Sequence, residues 1–217
     1  MKGPPGTTTS RAGPSWRPCV VRTYAAAIRK LIHLVHTRLD GFIDGPDGEF
    51  DWPSIGPELS AYGRALNDRV DTFLYGRVVW EMLAGFWPQA ESLSDDPHDL
   101  AFAPVWRSMP KLVASRTLTE AGWGTQVIRD DVTGQLASLK AGPGKDILLH
   151  GGSNFAGVLT RAGLIDEYQV VVHPVVLGGG RPLFARAEDR IALTLLESRT
   201  FDHRTVLLRY QPADRRL

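Results

Sequence analysis

The ten residues Asp146–Phe155 (DILLHGGSNF) constrain the fold more than any other stretch of the chain. An apolar, β-favouring run ends in two glycines, and a small polar pair then leads into an apolar helix start. A strand that ends in such a turn leaves backbone N–H groups unpaired at a helix N-terminus, where the helix dipole adds positive potential. Ser153 or Asn154 is positioned to cap that helix. The stretch predicts either an anion-binding turn or a tight strand–helix turn without a ligand.

Composition and charge exclude several classes of protein. The 217 residues, 43% of them hydrophobic, suffice for one sizeable globular domain. No apolar run approaches the roughly 18 residues of a membrane span, and the single cysteine, Cys19, excludes an internal disulfide framework. Residues 1–30 hold six basic and no acidic residues, which leaves 19 basic against 24 acidic residues in the remainder. We therefore expect a cytoplasmic protein with neither a membrane nor a nucleic acid as partner.

The first 28 residues are rich in glycine, proline, serine and threonine (GPPGTTTSRAGPSWRP) and show neither a helical nor a strand period. Such a composition buries little apolar surface and predicts a disordered extension. The segment also resembles a transit peptide in being basic and acid-free, although its prolines and glycines break an amphipathic helix. A start codon placed too far upstream is another explanation. We predict one folded domain over residues 29–217.

Strand and helix patterns alternate along this domain and end in a hairpin. Strands are predicted over residues 30–39, 71–75, 111–114, 125–129, the run before Gly151, 165–176, 193–198 and 204–210. Helices are predicted over residues 57–67, 78–83, 133–140 and 155–161, and a loop over most of residues 85–104, which hold three prolines. This order indicates an α/β fold with a mixed sheet that is mostly parallel and has an antiparallel edge.

Three predicted strands end in groups that suit a phosphorylated ligand. Gly76-Arg77 places a charge at a helix start, Ser115-Arg116 places a hydroxyl and a guanidinium after a strand, and Gly151–Asn154 offers backbone N–H groups. In open α/β sheets, ligands bind outside the carboxyl ends of the strands. A single such arginine is usually a solvated surface residue, but three strand ends in this order indicate a nucleotide site.

Other chemistries lack their motifs. No G-x-G-x-x-G follows a strand, there is no Walker A sequence, and Phe155 occupies the second flanking glycine position of a nucleophile elbow. His33 and His36 lie three apart on a strand and so face opposite sides, which argues against a metal site. We expect no metal centre, and hydrolase functions are disfavoured.

Five motifs in order carry a resemblance to a known family. The segments LDGFIDGPDGEFDW, LYGRVVWEML, LVASRTL, LLHGGSN and GLIDEYQVVVHPVVLGGGRPLF resemble those of stand-alone dihydrofolate-reductase-like proteins. A named relative of these proteins is the C-terminal reductase domain of the riboflavin-biosynthesis deaminase-reductase. The resemblance covers roughly residues 29–210. It implies a three-layer dihydrofolate-reductase-like fold, with a sheet of about eight strands between helices and NADPH bound across the strand ends.

The resemblance also assigns candidate site residues. Gly76, Arg77 and Val78 would sit at the cofactor pyrophosphate, with Gly151, Gly152, Ser153 and Asn154 on its other side. Ser115 and Arg116 would hold the 2′-phosphate, which suits a planar guanidinium. The loop from Asp40 to Gly45, including Ile43, would lie over the nicotinamide and the substrate.

Several positions depart from the family pattern. Arg38 stands where relatives often have serine, and would put a cation near the substrate mouth; His150 stands where the riboflavin-pathway domain has glutamate. The acidic residue that protonates the pterin in dihydrofolate reductases has no clear counterpart, since an ungapped count reaches Ser60 with Glu58 two residues away. As catalytic groups on the substrate side we predict Asp40, then His173. The alternative for Asp40 is a residue that forms the turn, and the alternative for His173 is a histidine of the core.

These inferences predict an NADPH-dependent reductase that transfers a hydride to a C=N or C=O bond of a small polar, pyrimidine- or pterin-like substrate, like 5-amino-6-(5-phosphoribosylamino)uracil reductase. The alternatives are a non-catalytic module that binds NADPH or another nucleotide, and a dihydrofolate reductase. A bifunctional riboflavin enzyme is excluded because no zinc-deaminase motif accompanies the domain. The apolar edge of the closing hairpin (LTLL, VLLRY) predicts a homodimer.

A chain that begins at Arg29 should melt within a few degrees of the full-length protein. Residues 1–28 bury too little apolar area to offset a backbone entropy cost of roughly 1–2 kcal/mol per ordered residue. Thermal unfolding followed by circular dichroism compares the two proteins directly. A large drop in the midpoint of the shortened chain would show that the extension docks on the domain.

Overall fold

The computed structural model of the protein describes residues 28–184 and 190–213, together with residues 1 and 3. The predicted disordered extension lies almost wholly outside these residues and stays a prediction. None of the helices in the described part of the chain is both long enough and apolar enough to cross a membrane.

Within the described residues, eight strands form one sheet, as predicted. The strands are β1 (Leu31–Arg38), β2 (Val70–Gly76), β3 (Lys111–Ala114), β4 (Thr125–Ile128), β5 (Asp146–His150), β6 (Glu167–His173), β7 (Leu193–Phe201) and β8 (Thr205–Pro212). Their spatial order is β4-β3-β2-β5-β1-β6-β8-β7. The pairs from β4 to β6 are parallel, and β8 pairs antiparallel with both β6 and β7. The expected mixed sheet with an antiparallel edge is therefore present.

Helices cover both faces of the parallel strands. They are α1 (Pro57–Asn67), α2 (Arg77–Phe86), α3 (Ala90–Leu93), α4 (Pro97–Ser108), α5 (Val132–Ala141) and α6 (Ser153–Arg161), with a 3₁₀ turn at Trp87–Gln89. Neighbouring residues of one strand join opposite cores, because side chains alternate between the faces. Phe73 packs in the core beneath α1, α2 and α4, whereas Leu74 packs in the core beneath α5 and α6. The two cores explain the apolar runs of the central strands.

The segment predicted as loop contains a helix instead. Helix α4 begins with Pro97, where a missing N–H costs nothing, and the Asp96 carboxylate accepts a hydrogen bond from the His98 N–H at 2.7 Å. Pro104 lies inside the helix although it removes one internal hydrogen bond. Burial of Trp106, which stacks on Trp80 with ring centroids 5.6 Å apart, offsets that loss. Tertiary packing here overrides the local signal from the prolines.

Strand β6 ends at His173, three residues before the predicted end. Pro174 follows at once, and since proline has no N–H to donate to the sheet, the ladder cannot continue through it. The chain then turns, with the Val175 N–H bonded to the His173 carbonyl at 2.8 Å and the Leu39 N–H bonded to the Val175 carbonyl at 3.1 Å. The turn holds the loop after β6 against the loop after β1.

A row of polar side chains fixes helix α1 to the antiparallel edge. Arg209 of β8 donates to Glu167 of β6 at 2.9 Å and to Glu197 of β7 at 2.5 Å. Gln169 donates to Glu167 at 2.7 Å and accepts a hydrogen bond from the Tyr62 hydroxyl at 2.8 Å. Since Tyr62 belongs to α1, the row aligns this helix with the sheet.

Strand β7 lies at the sheet edge with exposed apolar side chains. Leu195 and Leu196 are 52% and 44% exposed, and β7 pairs only with β8 among the described strands. An unpaired edge of this kind favours association with a second strand. The homodimer stays a prediction.

Glu167→Gln should lower the free energy of unfolding by about 1.5–3 kcal/mol, because it weakens buried hydrogen bonds to a charged group. Burial opposes ionisation of Glu167, but the hydrogen bonds from Arg209 and Gln169 outweigh it and hold its pKa below the ordinary value of 4.5. The ionised group therefore stabilises the fold above about pH 4.5, and this contribution is lost as the pH falls through the folded-state pKa.

Urea unfolding at neutral pH measures the effect, and Glu81→Gln is the matched control. Glu81 pairs with Arg77 on the surface of α2, where the two side chains are 49% and 45% exposed. An exposed pair contributes only about 0–1 kcal/mol. Equal losses in both variants would contradict the role assigned to Glu167.

Candidate functional site

A cavity of about 210 Å³ lies where β1 and β5 end, below helices α1, α2 and α4. Its walls are mainly aliphatic and aromatic side chains, with Phe50, Trp87 and Phe102 among the largest. The polar side chains in the lining are His36, Asp44, Tyr62, Asn67, His98, His150 and Arg181. A concave, largely apolar site with a few polar groups is typical of small-molecule pockets.

The three strand ends singled out in the sequence lie side by side. Strands β3, β2 and β5 are neighbours in the sheet. Gly76 of β2 pairs with Ala114 of β3, the residue before Ser115. Leu74 of β2 pairs with Leu149 of β5. Gly76 and Gly151 each lie two residues further along the chain than these partners. Parallel pairing thus brings the carboxyl ends to the same level, about 4.8 Å apart from strand to strand.

Two helix N-termini meet at this level. Helix α2 begins after Gly76 and α6 begins after Gly152, and neither N-terminus has a side-chain cap. The expectation that Ser153 or Asn154 caps α6 is wrong, because Gly152 is the N-cap and Ser153 is already the first helical residue. The backbone N–H groups of both first turns therefore lack side-chain partners.

Glycine is favoured where these elements approach each other. Gly151 and Gly152 have φ angles of 51° and 73° and both line the cavity. A β-carbon on Gly152 would lie 3.2 Å from Val79 of α2, and one on Gly76 would lie 3.1 Å from Phe155 of α6. The turn is thus a shallow backbone-lined cradle between the two helix starts.

The two arginines predicted at the cofactor differ in their surroundings. Arg77 forms an ion pair with Glu81 one helical turn along α2, at 2.7 Å. Arg116 is exposed, and no described residue forms a hydrogen bond or ion pair with its side chain. Ser115 is buried, and its hydroxyl accepts hydrogen bonds from the N–H groups of Thr117 and Leu118, which shapes the turn that presents Arg116.

The other predicted cofactor residues separate into those in the cavity lining and those beside it. Ile43 and Val78 line the cavity, whereas Gly45, Ser153 and Asn154 are not among its lining residues. Gly45 is buried, and a β-carbon there would collide with the Glu49 carboxylate, so its role in the loop is steric. These cofactor assignments stay predictions.

The expected cation at the substrate mouth is instead buried. Arg38 is fully buried, lies 3.2 Å from the Asp40 carboxylate and donates to the Gly179 carbonyl. The other Asp40 oxygen accepts hydrogen bonds from the N–H groups of Leu177 and Gly178, at 3.2 and 3.0 Å. Asp40 does not appear in the described cavity lining. It joins the loop after β1 to the glycine-rich loop, so the geometry favours a structural role over its predicted catalytic one.

A second carboxylate, which the sequence did not single out, does line the cavity. Asp44 is 5% exposed and accepts a hydrogen bond from the backbone N–H of Arg181 at 2.5 Å, while its other oxygen accepts one from the Arg181 side chain. Gly180 makes this approach possible, because its φ is 114° and a β-carbon would collide with the Asp44 carbonyl. Asp44 ends the sequence D-G-F-I-D and Arg181 ends the sequence G-G-G-R. Neither sequence indicates the pair until the two loops are known to be in contact.

The second predicted catalytic residue, His173, lies behind the cavity rather than in its lining. Its Nε2 is 2.8 Å from Nδ1 of His36, and it is His36 that lines the cavity. His173 is 2% exposed and packs edge-on against Trp52 with ring centroids 5.5 Å apart. The sequence pattern argued against His36 as a metal ligand, and it gave no indication that His36 lines a cavity.

The histidines in the cavity lining are uncharged at neutral pH. Burial lowers the pKa of His36 and of His150 to about 3, helped by nearby histidines, and it also lowers the pKa of His98. His98 lies 3.0 Å from the Ser60 hydroxyl, and His150 stacks on Tyr75. Since Asp44 is paired, the cavity presents neutral hydrogen-bonding groups rather than a free carboxylate.

Comparison with known proteins identifies relatives over nearly the whole described chain. Residues 29–207 match the model of the RibD C-terminal domain family. The uncharacterized protein YyaP of Bacillus subtilis (strain 168) is 36% identical over 185 residues, which are 84% of this chain and 94% of YyaP.

Solved structures agree with this relationship. A protein of Shewanella sp. PV-4 ascribed to riboflavin biosynthesis is 25% identical, with a TM-score of 0.67 over 85% of this chain and 99% of its own. Dihydrofolate reductase from Enterococcus faecalis is 13% identical, with a TM-score of 0.56 over 85% of this chain and 97% of its own. The second likeness concerns the fold alone.

Proposed function

The chain belongs to the RibD C-terminal domain family, and on that premise we propose that it is an NADPH-dependent reductase of a small polar, pyrimidine- or pterin-like substrate. The proposal rests on one observation: the carboxyl ends of three neighbouring strands lie at the same height in the sheet, beside an apolar cavity. In sheets of this type a dinucleotide lies across the carboxyl ends, and its reactive ring enters the crevice.

The backbone at the strand ends fits a pyrophosphate. The Gly151-Gly152 turn leaves room for a phosphate to approach the main chain, since neither residue carries a side chain. The first turns of α2 and α6 have no side-chain caps, so their N–H groups and dipoles favour an anion. Gly76, Arg77, Val78, Ser153 and Asn154 complete this surface. We assign the pyrophosphate to it.

The cavity fits the ring of the cofactor and that of the substrate. When bound, NADPH supplies the hydride that reduces a C=N or C=O bond. The protein's part is to orient both rings and to exclude water, which the mainly apolar walls and the loop through Ile43 accomplish. The neutral histidines and Tyr62 supply hydrogen bonds to the polar edge of a substrate.

Dihydrofolate reduction has less support from the geometry. Dihydrofolate reductases present an acidic residue on the first helix, but neither Glu58 nor any other carboxylate of α1 is in the described cavity lining. The Glu58 carboxylate instead accepts a hydrogen bond from the Asp202 N–H at 2.7 Å. Ser60, also near the expected position, is a neutral group bonded to Arg64 and His98.

Turnover separates a reductase from a non-catalytic nucleotide-binding module. We expect NADPH oxidation, followed as loss of absorbance, to accelerate with at least one member of a panel of aminopyrimidines, pterins and carbonyl compounds. Equilibrium titration of NADPH on the same protein provides the control. Binding without oxidation across the panel would favour the module, and failure of NADPH to bind would refute the proposal.

Arg116→Ala should weaken NADPH binding about tenfold to a hundredfold and leave NADH binding nearly unchanged. The cofactors differ only in the 2′-phosphate, and a charge-assisted hydrogen bond to it contributes roughly 1.5–3 kcal/mol. The exposed guanidinium presented by the Ser115 turn is the group that we assign to that phosphate. Added salt should reduce the difference between the two cofactors.

Arg161→Ala is the matched control, because Arg161 is an exposed arginine in the last turn of α6, at the opposite end from the glycine turn. It should leave both affinities unchanged. Equal weakening of NADPH and NADH by Arg116→Ala would show that Arg116 shapes the site and that another group binds the 2′-phosphate.

A further inference from the structure

Two histidines on neighbouring strands form a hydrogen-bonded pair at the cavity wall. His36 lies on β1 and His173 on β6, and the parallel register places both on the same sheet face, with Val171 opposite His36. Nδ1 of His36 is 2.8 Å from Nε2 of His173. Within residues 28–184 and 190–213, no hydrogen bond reaches Nε2 of His36, although this residue lines the cavity.

The pair is uncharged, so one ring must donate and the other accept. Burial lowers the pKa of His36 to about 3 and that of His173 to about 4. The titratable groups that face His36 are His173, His98 of α4 and His150 of β5, and Arg204 of the last hairpin faces His173. None of these groups is an anion that would favour an imidazolium.

The tautomers decide what the cavity recognises. If His36 donates from Nδ1–H, its Nε2 is a bare acceptor and selects ligand N–H or NH₂ groups. If His173 donates from Nε2–H, His36 carries its own proton on Nε2 and selects ligand oxygens or imine nitrogens. The second arrangement suits a reduction, since the heteroatom of the reduced bond gains an electron pair and requires a donor.

We infer that His36 donates a hydrogen bond from Nε2–H to the heteroatom of the substrate's C=O or C=N bond, and that His173 fixes this tautomer by donating to Nδ1. The inference rests on the proposed reductase function and specifies its substrate: an uncharged ring with an acceptor facing His36. His36 is thereby a catalytic residue, and His173 is a positioning residue.

The reduction requires only a hydrogen-bond donor at the position of His36, because the transferred hydride and proton come from other sources. The hydride adds to the carbon, the π-bond electron pair moves to the heteroatom, and that atom finally takes a proton from water. His36 keeps its proton and stabilises the growing negative charge through the hydrogen bond. A neutral imidazole whose tautomer is fixed by its partner is suited to this role.

Other polar groups of the cavity are less suited to the role. His98 already interacts with the Ser60 hydroxyl, and the ring of His150 lies against Tyr75 and Phe73. Asp44 and Arg181 are paired with each other. Among the described histidines, only His36 combines a place in the lining with a second imidazole as its hydrogen-bonded partner.

The tautomers are measured on the wild-type protein by long-range ¹⁵N–¹H NMR after ¹⁵N-histidine labelling. We expect the proton on Nε2 and not on Nδ1 for both His36 and His173. In His173→Gln, His36 should become a mixture of tautomers while NADPH affinity stays unchanged, an effect that loss of stability alone would not produce. A proton on Nδ1 of His36 in the wild-type protein would overturn the inference.

Two ring probes test recognition directly. Uracil presents carbonyl acceptors, whereas 1,3-diaminobenzene presents amino donors and has no ring-nitrogen acceptor. Uracil should shift the His36 Nε2 resonance and bind about threefold to tenfold more weakly to His36→Phe than to wild type. The diaminobenzene should bind both proteins alike.

His33→Phe is the control, because His33 lies on the same strand but faces Tyr168 on the other side of the sheet. Unchanged uracil binding in His36→Phe, or equal weakening in His33→Phe, would refute the role of His36. If His36→Phe does not fold, the wild-type tautomer and the uracil-induced shift decide. Neither measurement needs cofactor, so failure of NADPH to bind would refute the reductase proposal separately.

Discussion

The parallel register of β3, β2 and β5 is the constraint on which the rest of the site depends. Parallel hydrogen bonding fixes where each strand ends relative to its neighbours, and here it brings Ser115, Gly76 and Gly151 to one level. The helices that follow β2 and β5 must then start side by side. Glycines at the contact points favour this close approach, because a β-carbon there would press on Val79 or Phe155. If one strand slipped by one residue relative to its neighbour, these groups would separate and the side chains of that strand would turn to the other face of the sheet.

A second constraint joins the loops that border the cavity. The loop after β1 carries Asp40 and Asp44, and the glycine-rich loop after β6 supplies their partners at Leu177, Gly178 and Arg181. The buried Arg38 charge is tolerable because the Asp40 carboxylate and the Gly179 carbonyl face it. Removal of one member would leave an uncompensated buried charge, so the two loops hold their places together.

The local sequence predicted the elements well because their signals are local. The strand positions, the exact bounds of α1 and the glycine turn after β5 follow from apolar period, proline at a helix start and missing side chains. Helix α4 was missed because its stability comes from the burial of Trp106 against Trp80, a distant contact that outweighs Pro104. The burial of Arg38 was missed for a similar reason: the Gly179 carbonyl that accepts its hydrogen bond lies 141 residues away in the chain.

The residues that line the cavity were harder to predict, and the histidine pair shows why. His36 and His173 become neighbours only when β1 pairs with β6 in one particular register, which neither strand specifies by itself. That register also explains why the two imidazoles are uncharged. It places two imidazoles at hydrogen-bonding distance within apolar walls, where burial makes the charged form unfavourable. A free carboxylate would favour a cationic or protonated ring, whereas paired neutral imidazoles favour an uncharged one. The electrostatics of the cavity thus arise from strand pairing.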